Sequence, residues 1–203
     1  MTSKFITFEG IEGSGKSTNL SVVNQLLEDR GIKYINTREP GGSEIGAELR
    51  DILLNTKKEL SIETELLLML ADRVNHIESL IKPSLNKGLF VISDRFMDSS
   101  YAYQGGGREL GINTINKIVS GLNIIKPDLT LLFDLPVKLA LERAKKRGTL
   151  DRFEKEDYEF HQRIRDTYLL LAKEEPNRIK IIDSSKDIDE VKDQVKKILI
   201  EQL

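Results

Sequence analysis

The chain has 203 residues, of which 39% are hydrophobic and 32% charged, and its net charge is −2. This length suits one domain with a substantial core, so we expect residues 1–203 to form a single domain. The balanced charge predicts no nucleic-acid partner, and the lack of cysteine excludes disulfides and thiolate metal sites. With no signal pattern and no apolar run of about 18 residues, we expect a cytoplasmic protein without a membrane partner.

A phosphate-binding loop follows the first predicted strand, which covers residues 4–9. The loop fits the pattern G-x-x-x-x-G-K-[ST], and its predicted ATP contacts are Gly10, Ile11, Glu12, Gly13, Ser14, Gly15, Lys16, Ser17 and Thr18. Apolar residues then recur at helical spacing up to Gly31, which predicts a helix whose N-terminus points at the loop. Backbone N–H groups and the helix dipole would hold an anion. In this motif the lysine reaches the β- and γ-phosphates, and the serine hydroxyl ligates Mg²⁺.

The second predicted strand covers residues 34–37 and runs into Arg38-Glu39-Pro40-Gly41-Gly42. A proline followed by two glycines is typical of a loop, and the charged pair ahead of it marks a place where a ligand could bind. The alternative is that this pair is a solvated strand end. A helix then begins at Ser43 or the next residue, with Arg50 off its apolar face.

Ser61 is the predicted N-cap of a long helix that extends to about Ile81. The apolar residues of this helix cover more than one core-facing stripe, so it is either buried on two sides or faces another subunit. We expect a homodimer through residues 61–82. Within the helix, Asp72 and Arg73 form either an exposed turn or a functional pair whose arginine is aimed into a cleft.

Residues 89–93 form a continuous apolar run that predicts a buried parallel strand, and Asp94 and Arg95 follow it directly. In open α/β sheets, ligands bind beyond the carboxyl ends of the strands. An aspartate there can serve Mg²⁺ or position a substrate hydroxyl, and an arginine can pair with a phosphate. The next segment, residues 98–108, is rich in tyrosine, serine and glycine, and we expect it to be a flexible binding surface.

The C-terminal third adds strands at residues 129–134 and 179–183, and helices at 137–146, 158–174 and 188–200. Five strands that alternate with helices predict an α/β fold with a parallel sheet covered on both faces. Five cations fall within a ten-residue stretch that covers the end of the first of these helices and the segment after it. They are Arg143, Lys145, Lys146, Arg147 and Arg152. They form either a solvated surface or a mobile lid, over about residues 143–153, that closes on phosphates.

Three classes of protein share a phosphate loop of this kind. A regulatory GTPase would need the pattern N-K-x-D, and residues 116–119 lack its aspartate. A motor or transport ATPase would normally be larger or carry an obvious partner surface. A small kinase needs a second phosphate site, arginines around both sites and a lid that excludes water. The arginines that supply this set are Arg38, Arg50, Arg73, Arg95 and those of the 143–152 cluster.

Six segments in order along nearly the whole chain support the kinase class. They are residues 5–17, Thr37-Arg38-Glu39-Pro40-Gly41-Gly42, Asp94-Arg95-Phe96, Ser99-Ser100-Tyr101-Ala102-Tyr103-Gln104-Gly105, Pro127-Asp128-Leu129-Thr130 and Arg147-Gly148-Thr149-Leu150-Asp151-Arg152. Together they resemble bacterial thymidylate kinase. The resemblance implies a P-loop nucleoside monophosphate kinase-like three-layer sandwich with a five-stranded parallel sheet. It also implies transfer of the ATP γ-phosphoryl to dTMP, with Mg²⁺, in dTTP biosynthesis.

The resemblance further implies the residues that bind the acceptor nucleotide, dTMP. Arg38, Arg50 and Arg95 would clamp its phosphate, and Arg73, Ser100 and Gln104 would hydrogen-bond the thymine edge. Glu12 would lie near the sugar 3′-hydroxyl, and Tyr103 would lie under the deoxyribose. The full implied set is Glu12, Arg38, Glu39, Pro40, Arg50, Met69, Arg73, Arg95, Ser99, Ser100, Tyr103 and Gln104. Met69 replaces a phenylalanine that commonly stacks on the thymine, and its thioether can pack on the ring instead.

The implied catalytic residues come from the loop, the third strand end and the lid. They are Glu12, Lys16, Asp94, Arg95, Arg147 and Arg152, with Ser17 and Asp94 as the implied metal ligands. Because position 13 is glycine, the chain resembles the subgroup in which the lid supplies the transition-state arginine. Family members are typically homodimers, which fits the apolar helix. The alternatives are a kinase for another deoxynucleoside monophosphate and a non-catalytic nucleotide-binding module.

Overall fold

A five-stranded parallel sheet forms the centre of the molecule in a computed structural model that describes residues 3–56, 58–148 and 151–202. Its strands are β1 (Phe5–Glu9), β2 (Tyr34–Arg38), β3 (Phe90–Asp94), β4 (Leu129–Asp134) and β5 (Ile179–Asp183). The strand order is β2-β3-β1-β4-β5, and each neighbouring pair is parallel. This topology confirms the predicted fold class.

Helices follow the strands along the chain. They are α1 (Lys16–Asp29), α2 (Glu44–Asn55), α3 (Ile62–His76), α4 (Lys82–Asn86), α5 (Met97–Ser100), α6 (Ile112–Val119), α7 (Val137–Arg147), α8 (Tyr158–Glu174) and α9 (Ile188–Gln202). Two π-helical segments continue α3 and α5, over Ile77–Ile81 and Tyr101–Gly107. Among the described residues, no helix is both long enough and apolar enough to cross a membrane.

The predicted helix boundaries agree with local capping. The Ser61 side chain accepts a hydrogen bond from the Thr64 N–H at the start of α3, and Ser43 accepts one from Gly46 at the start of α2. Gly31 has a positive φ of 66° just beyond α1, as expected for a residue that ends a helix. These local interactions therefore fix where α2 and α3 begin and where α1 ends.

Apolar side chains cover both faces of the sheet and make three layers. Ile6 and Phe8 pack with Val23 of α1 and Val195 of α9 on one face. Phe5 points the opposite way, as alternation along a strand requires, and packs in the cluster that contains α3. The charged carboxyl ends of β1, β2 and β3 therefore meet at one edge of a buried sheet.

The prediction that residues 98–108 are flexible is wrong, whereas their role as a binding surface stays a prediction. The segment is helical, and Tyr103, Gln104 and Gly105 are buried within it. A side chain at Gly106 would collide with Thr167 of α8, so the glycines let this backbone pack closely against that helix. Polar composition misled the prediction because the glycines serve close packing and not flexibility.

Candidate active site

A cavity opens at the carboxyl edge of β1, β2 and β3. Its lining residues are Glu12, Glu39, Pro40, Arg50, Leu54, Met69, Arg73, Arg95, Ser99, Ser100, Tyr103, Gln104, Asp151 and Phe153. The structure thus brings together all the predicted dTMP contacts except Arg38, whose residue is exposed and does not line the cavity. Sequence reasoning missed Leu54, Asp151 and Phe153.

Glu12 and Arg95 form an ion pair on the wall of this cavity. Arg95 Nη2 donates to Glu12 Oε1 over 2.7 Å, and the Tyr103 hydroxyl donates to the same carboxylate at 2.7 Å. Burial opposes ionisation of Glu12, but the positive charges of Arg95 and Lys16 lower the pKa of its carboxyl below the ordinary value. Glu12 is therefore an anionic acceptor that links the phosphate loop to the cavity.

Arg95 has a positive φ of 74°, which is rare for a residue with a side chain and is characteristic of functional sites. Glu9 supports this backbone, because its carboxyl accepts hydrogen bonds from the Phe96 N–H at 2.8 Å and from Ser99 Oγ at 2.6 Å. Burial and the nearby negative charge of Asp98 raise the pKa of the Glu9 carboxyl to about 7. Glu9 had no predicted role, although its place at the end of a buried strand was an available signal.

Arg73 is 1% exposed, so the alternative of an exposed turn at this position is wrong. Its guanidinium donates to Glu39 Oε2 at 2.7 Å, to Ser100 Oγ at 2.8 Å and to the Phe96 carbonyl at 2.9 Å. His76, which sequence reasoning missed, contacts the other oxygen of Glu39 at 2.9 Å. The solvated strand end proposed for Glu39 is likewise wrong, because Glu39 is buried and holds Arg73 in the cavity wall.

Arg38, Arg50 and Arg95, which are predicted to bind the acceptor phosphate, lie close enough together for their charges to interact. Burial lowers the pKa of the Arg50 guanidinium, the charges of Arg38 and Arg95 lower it further, and the carboxylates of Asp151 and Asp94 oppose the shift in part. Mutually repelling cations of this kind are stabilised by an anion such as phosphate. Arg50 also donates to the Pro40 carbonyl at 2.8 Å, which holds it beside the loop after β2.

The phosphate loop combines left-handed glycines with a lysine that folds back on it. Gly10, Gly13 and Gly15 all have positive φ, and a side chain at Gly13 would collide with the Ala140 carbonyl of α7. Lys16 Nζ donates to the Gly10 and Ile11 carbonyls at 2.9 and 3.1 Å. Burial, together with the charge of Arg95, lowers the pKa of this ammonium to about 8.

The oxygen atoms of the predicted metal ligands are suited to Mg²⁺. Asp94 Oδ1 is buried without a hydrogen-bond partner among the described residues, and Ser17 is exposed at the start of α1. Within the described parts of the chain, no group of three or more His, Cys, Asp or Glu side chains could hold a metal by itself. A hydroxyl and a carboxylate fit Mg²⁺, which is usually bound through one or two protein oxygens plus substrate phosphates.

The structure describes only part of the predicted lid. Thr149, Leu150 and the side chain of Arg147 lie outside the described residues. Arg152 forms an ion pair with Glu65 Oε2 at 2.8 Å and donates to the Leu53 carbonyl at 3.1 Å. In this conformation Arg152 is therefore held near α2 and α3, and its predicted catalytic role stays a prediction.

Arg143 lies beside the phosphate loop. It donates to the Ser184 carbonyl at 3.2 Å. With Thr18, Asn19 and Lys186 it lines a cleft beside the loop.

Comparison with known proteins identifies the family. The family model for thymidylate kinase matches residues 8–195. A thymidylate kinase from Neisseria meningitidis serogroup B is 44% identical over 202 residues, which are 98% of this chain and 97% of that protein. One from Thermosipho africanus is 46% identical over 200 residues, with 98% of each chain covered. This chain belongs to the thymidylate kinase family.

A solved structure of the family has the same fold as this thymidylate kinase family member. The crystal structure of thymidylate kinase from Ehrlichia chaffeensis superposes with a TM-score of 0.80 at 35% identity, and the match covers 98% of this chain and 99% of that one. The resemblance inferred from the six segments is thus confirmed, and so is the P-loop kinase-like fold. The relatives do not favour the two alternative functions.

Proposed function

We propose that this chain is a dTMP kinase, which transfers the γ-phosphoryl of ATP to dTMP and gives dTDP and ADP. One observation supports the proposal: the cavity beside the phosphate loop is lined by hydrogen-bonding side chains suited to a base, Arg73 and Gln104, and by cations suited to a phosphate, Arg50 and Arg95. A nucleoside kinase would have no phosphate for those two cations to bind. A GTPase or a motor ATPase would need no second nucleotide cavity.

The acceptor is positioned by charges at both of its ends. Arg50 and Arg95, with Arg38 approaching from the surface, bind the dTMP phosphate. Arg73, Ser100 and Gln104 bind the thymine edge, and Met69 packs on the ring. Tyr103 lies under the deoxyribose, and Glu12 accepts a hydrogen bond from the 3′-hydroxyl. Such orientation replaces a bimolecular encounter by a fixed geometry, which is a major source of rate in phosphoryl transfer.

The donor phosphates bind to the loop between β1 and α1. The backbone N–H groups of residues 10–18 surround them, and Lys16 leaves its own loop carbonyls to reach the β- and γ-phosphates. Ser17 and Asp94 are the residues that would hold Mg²⁺, which when bound neutralises charge on the phosphate oxygens. Lys16 supplies the remaining positive charge where negative charge develops in the transition state.

The lid, about residues 143–153, closes the site and supplies Arg147 or Arg152 to the transferred phosphoryl group. Closure excludes water and so prevents hydrolysis of ATP when no acceptor is bound. For Arg152 this requires exchange of its Glu65 ion pair for a phosphate, which is a comparable charge-assisted interaction. Residues 1–203 function as one domain in this proposal.

A homodimer forms through residues 61–82. Leu67 is 56% exposed on α3, while Leu66 and Leu70 of the same helix are buried in the core. Replacement of Leu67 by lysine should therefore shift the mass measured by light scattering from dimer to monomer without loss of fold. A monomeric unaltered chain would contradict this part of the proposal. A cytoplasmic location stays a prediction from the sequence.

The reaction is tested by following both products in one mixture of enzyme, ATP, Mg²⁺ and dTMP. Chromatography should show dTDP and ADP in equal amounts, because each transfer makes one of each. Omission of dTMP should leave ATP almost intact. ADP release that is independent of dTMP would contradict the proposal and indicate an ATPase. Binding of ATP without any product would indicate a non-catalytic module.

A further inference from the structure

Glu65 is a buried carboxylate at the start of α3 whose only part in the reaction described above is its ion pair with Arg152. It is 1% exposed. Its Oε1 accepts from Gln104 Nε2 at 2.9 Å, and its Oε2 pairs with Arg152 Nη2 at 2.8 Å and with Arg108 Nη2 at 3.4 Å. A carboxylate this deeply buried is stable only when its charge is paired, and two guanidinium groups provide that pairing.

The bond between Glu65 and Gln104 decides which way the Gln104 amide points. An amide carries an acceptor oxygen and a donor nitrogen, but a carboxylate can only accept. The nitrogen of Gln104 must therefore face Glu65, because the reverse orientation would place two acceptor oxygens against each other in the protein interior. The orientation of the Gln104 amide thus follows from hydrogen-bond chemistry, without the positions of the hydrogen atoms being observed.

The oxygen of the same amide is left for the cavity. Gln104 lines the cavity, and its Oε1 makes no hydrogen bond to any other residue in the described ranges. Gln104 thus offers an acceptor, and only an acceptor, to a base in the cavity.

We propose that Glu65 is a positioning residue that sets base specificity by locking the Gln104 amide with its oxygen toward the acceptor base. The proposal rests on the proposed function, since it assumes that the cavity holds a pyrimidine nucleotide. Thymine and uracil present an N3–H donor and an O4 acceptor, which match Gln104 Oε1 and the donors of Arg73. Cytosine presents an N3 acceptor and an amino donor at the same edge, so both contacts become unfavourable.

A flip of the Gln104 amide would restore one of the two contacts with cytosine. Glu65 prevents that flip, because the flipped oxygen would face a carboxylate that is itself 1% exposed. Sites built to hydrogen-bond one pattern discriminate strongly against its inverse, since buried polar groups are then left unpaired. Specificity at Gln104 is therefore controlled by a side chain that never touches the substrate.

The test compares kcat/KM for dTMP, dUMP and dCMP in the unaltered enzyme and in Glu65→Gln. The substituted amide can pair with either orientation of Gln104, so the dTMP to dCMP ratio should fall about tenfold or more. The dTMP to dUMP ratio should not change, because uracil has the same N3–H and O4 edge. Glu65→Gln also frees Arg152, but any loss of turnover from that source acts on all three acceptors and cancels in the ratios.

Arg108→Lys is the matched control, since it disturbs another partner of Glu65 and leaves the carboxylate facing Gln104. It should leave the dTMP to dCMP ratio at the level of the unaltered enzyme. If Glu65→Gln does not fold, Glu65→Asp decides the question, because it keeps the charge but withdraws the oxygen from Gln104 by one methylene. Its dTMP to dCMP ratio should fall by a smaller factor.

An unchanged dTMP to dCMP ratio in the folded variant would overturn the positioning role while leaving dTMP kinase activity in place. An equal fall in both ratios would also overturn it, because that result indicates general loosening of the cavity. Absence of dTMP phosphorylation by the unaltered enzyme is a separate result, which would overturn the proposed function itself.

Discussion

The acceptor cavity and the phosphate loop are built in different ways. In the cavity, side chains hold one another: Arg73 donates hydrogen bonds to Glu39 and Ser100, and Glu12 is shared between Arg95 and Tyr103. At the loop, the backbone provides the site, and two buried polar atoms in the loop and the first turn of α1 lack hydrogen-bond partners among the described residues. Those atoms are Ser14 Oγ and Asn19 Oδ1.

This difference indicates where each property of the enzyme resides. A side-chain network that is formed before ligand binds favours selectivity, because a wrong acceptor leaves buried groups unpaired. A backbone loop binds any phosphate chain, and its lysine is most valuable when charge develops during transfer. Substitutions at the loop should therefore reduce turnover, whereas substitutions in the cavity should change the KM for the acceptor or the choice of acceptor.

The largest effect should come from Lys16→Ala. Loss of the ammonium removes charge from the transferring phosphoryl group, so kcat should fall by about 10³ or more while the KM for dTMP changes little. Steady-state kinetics at saturating ATP measure both constants. Lys33→Ala, at an exposed position before β2, is the control. Near-normal turnover of Lys16→Ala would contradict the assigned role of the loop.

The lid arginines should rank next. Arg152→Ala or Arg147→Ala should reduce kcat on the roughly 10³-fold scale of other transition-state arginines. Single-turnover measurements separate this loss from slow product release. Lys155→Ala, an exposed neighbour just beyond the proposed lid, controls for general disturbance of the segment. If both arginine variants keep normal turnover, the charged segment is only a solvated surface.

Arg50 and Arg38 should differ within the acceptor site. Arg50 lines the cavity and Arg38 does not, so Arg50→Ala should raise the KM for dTMP by about 10- to 100-fold, as expected for a lost charged hydrogen bond. Arg38→Ala should raise it less. Initial-rate titrations with dTMP measure both. Equal effects, or a larger effect for Arg38, would show that lining the cavity does not determine which arginine contributes more to dTMP binding.

A smaller effect should appear in the pH profile. Because burial lowers the pKa of Lys16 to about 8, this ammonium carries its charge below that pH and loses it above. The value of kcat/KM for ATP, which reports the free enzyme, should therefore decline as the pH rises through about 8. An active Lys16→Arg variant should show no such decline, since arginine stays protonated. A flat profile for the unaltered enzyme would contradict the burial of Lys16.

The loop could be predicted from sequence because all its residues are contiguous. Gly10 to Thr18 form a pattern whose flanking strand and helix are visible in local periodicity. The cavity residues lie on segments far apart in the chain, and only the family resemblance grouped them. The five strands were predicted within one or two residues for the same local reason, as each is a short segment rich in β-branched or aromatic residues between helices.

The partners that support the cavity could not be predicted. Glu65 meets Gln104 across 39 positions of the chain, and His76 meets Glu39 across 37, so tertiary packing alone creates these contacts. Helix α6 was missed because β-branched residues and asparagine give it low helix propensity, although isoleucines at 112, 115 and 118 were a usable signal. The Arg38 prediction could not anticipate that its side chain stays outside the cavity lining.

The most direct test of the account is the value of kcat/KM for ADP release with dTMP, dUMP, dCMP, dGMP or thymidine as acceptor, together with a blank that lacks acceptor. We predict fast turnover with dTMP, a low blank and the strongest rejection for dCMP, dGMP and thymidine. Equal turnover with dCMP, or a preference for thymidine, would contradict a cavity that reads both the thymine edge and the acceptor phosphate.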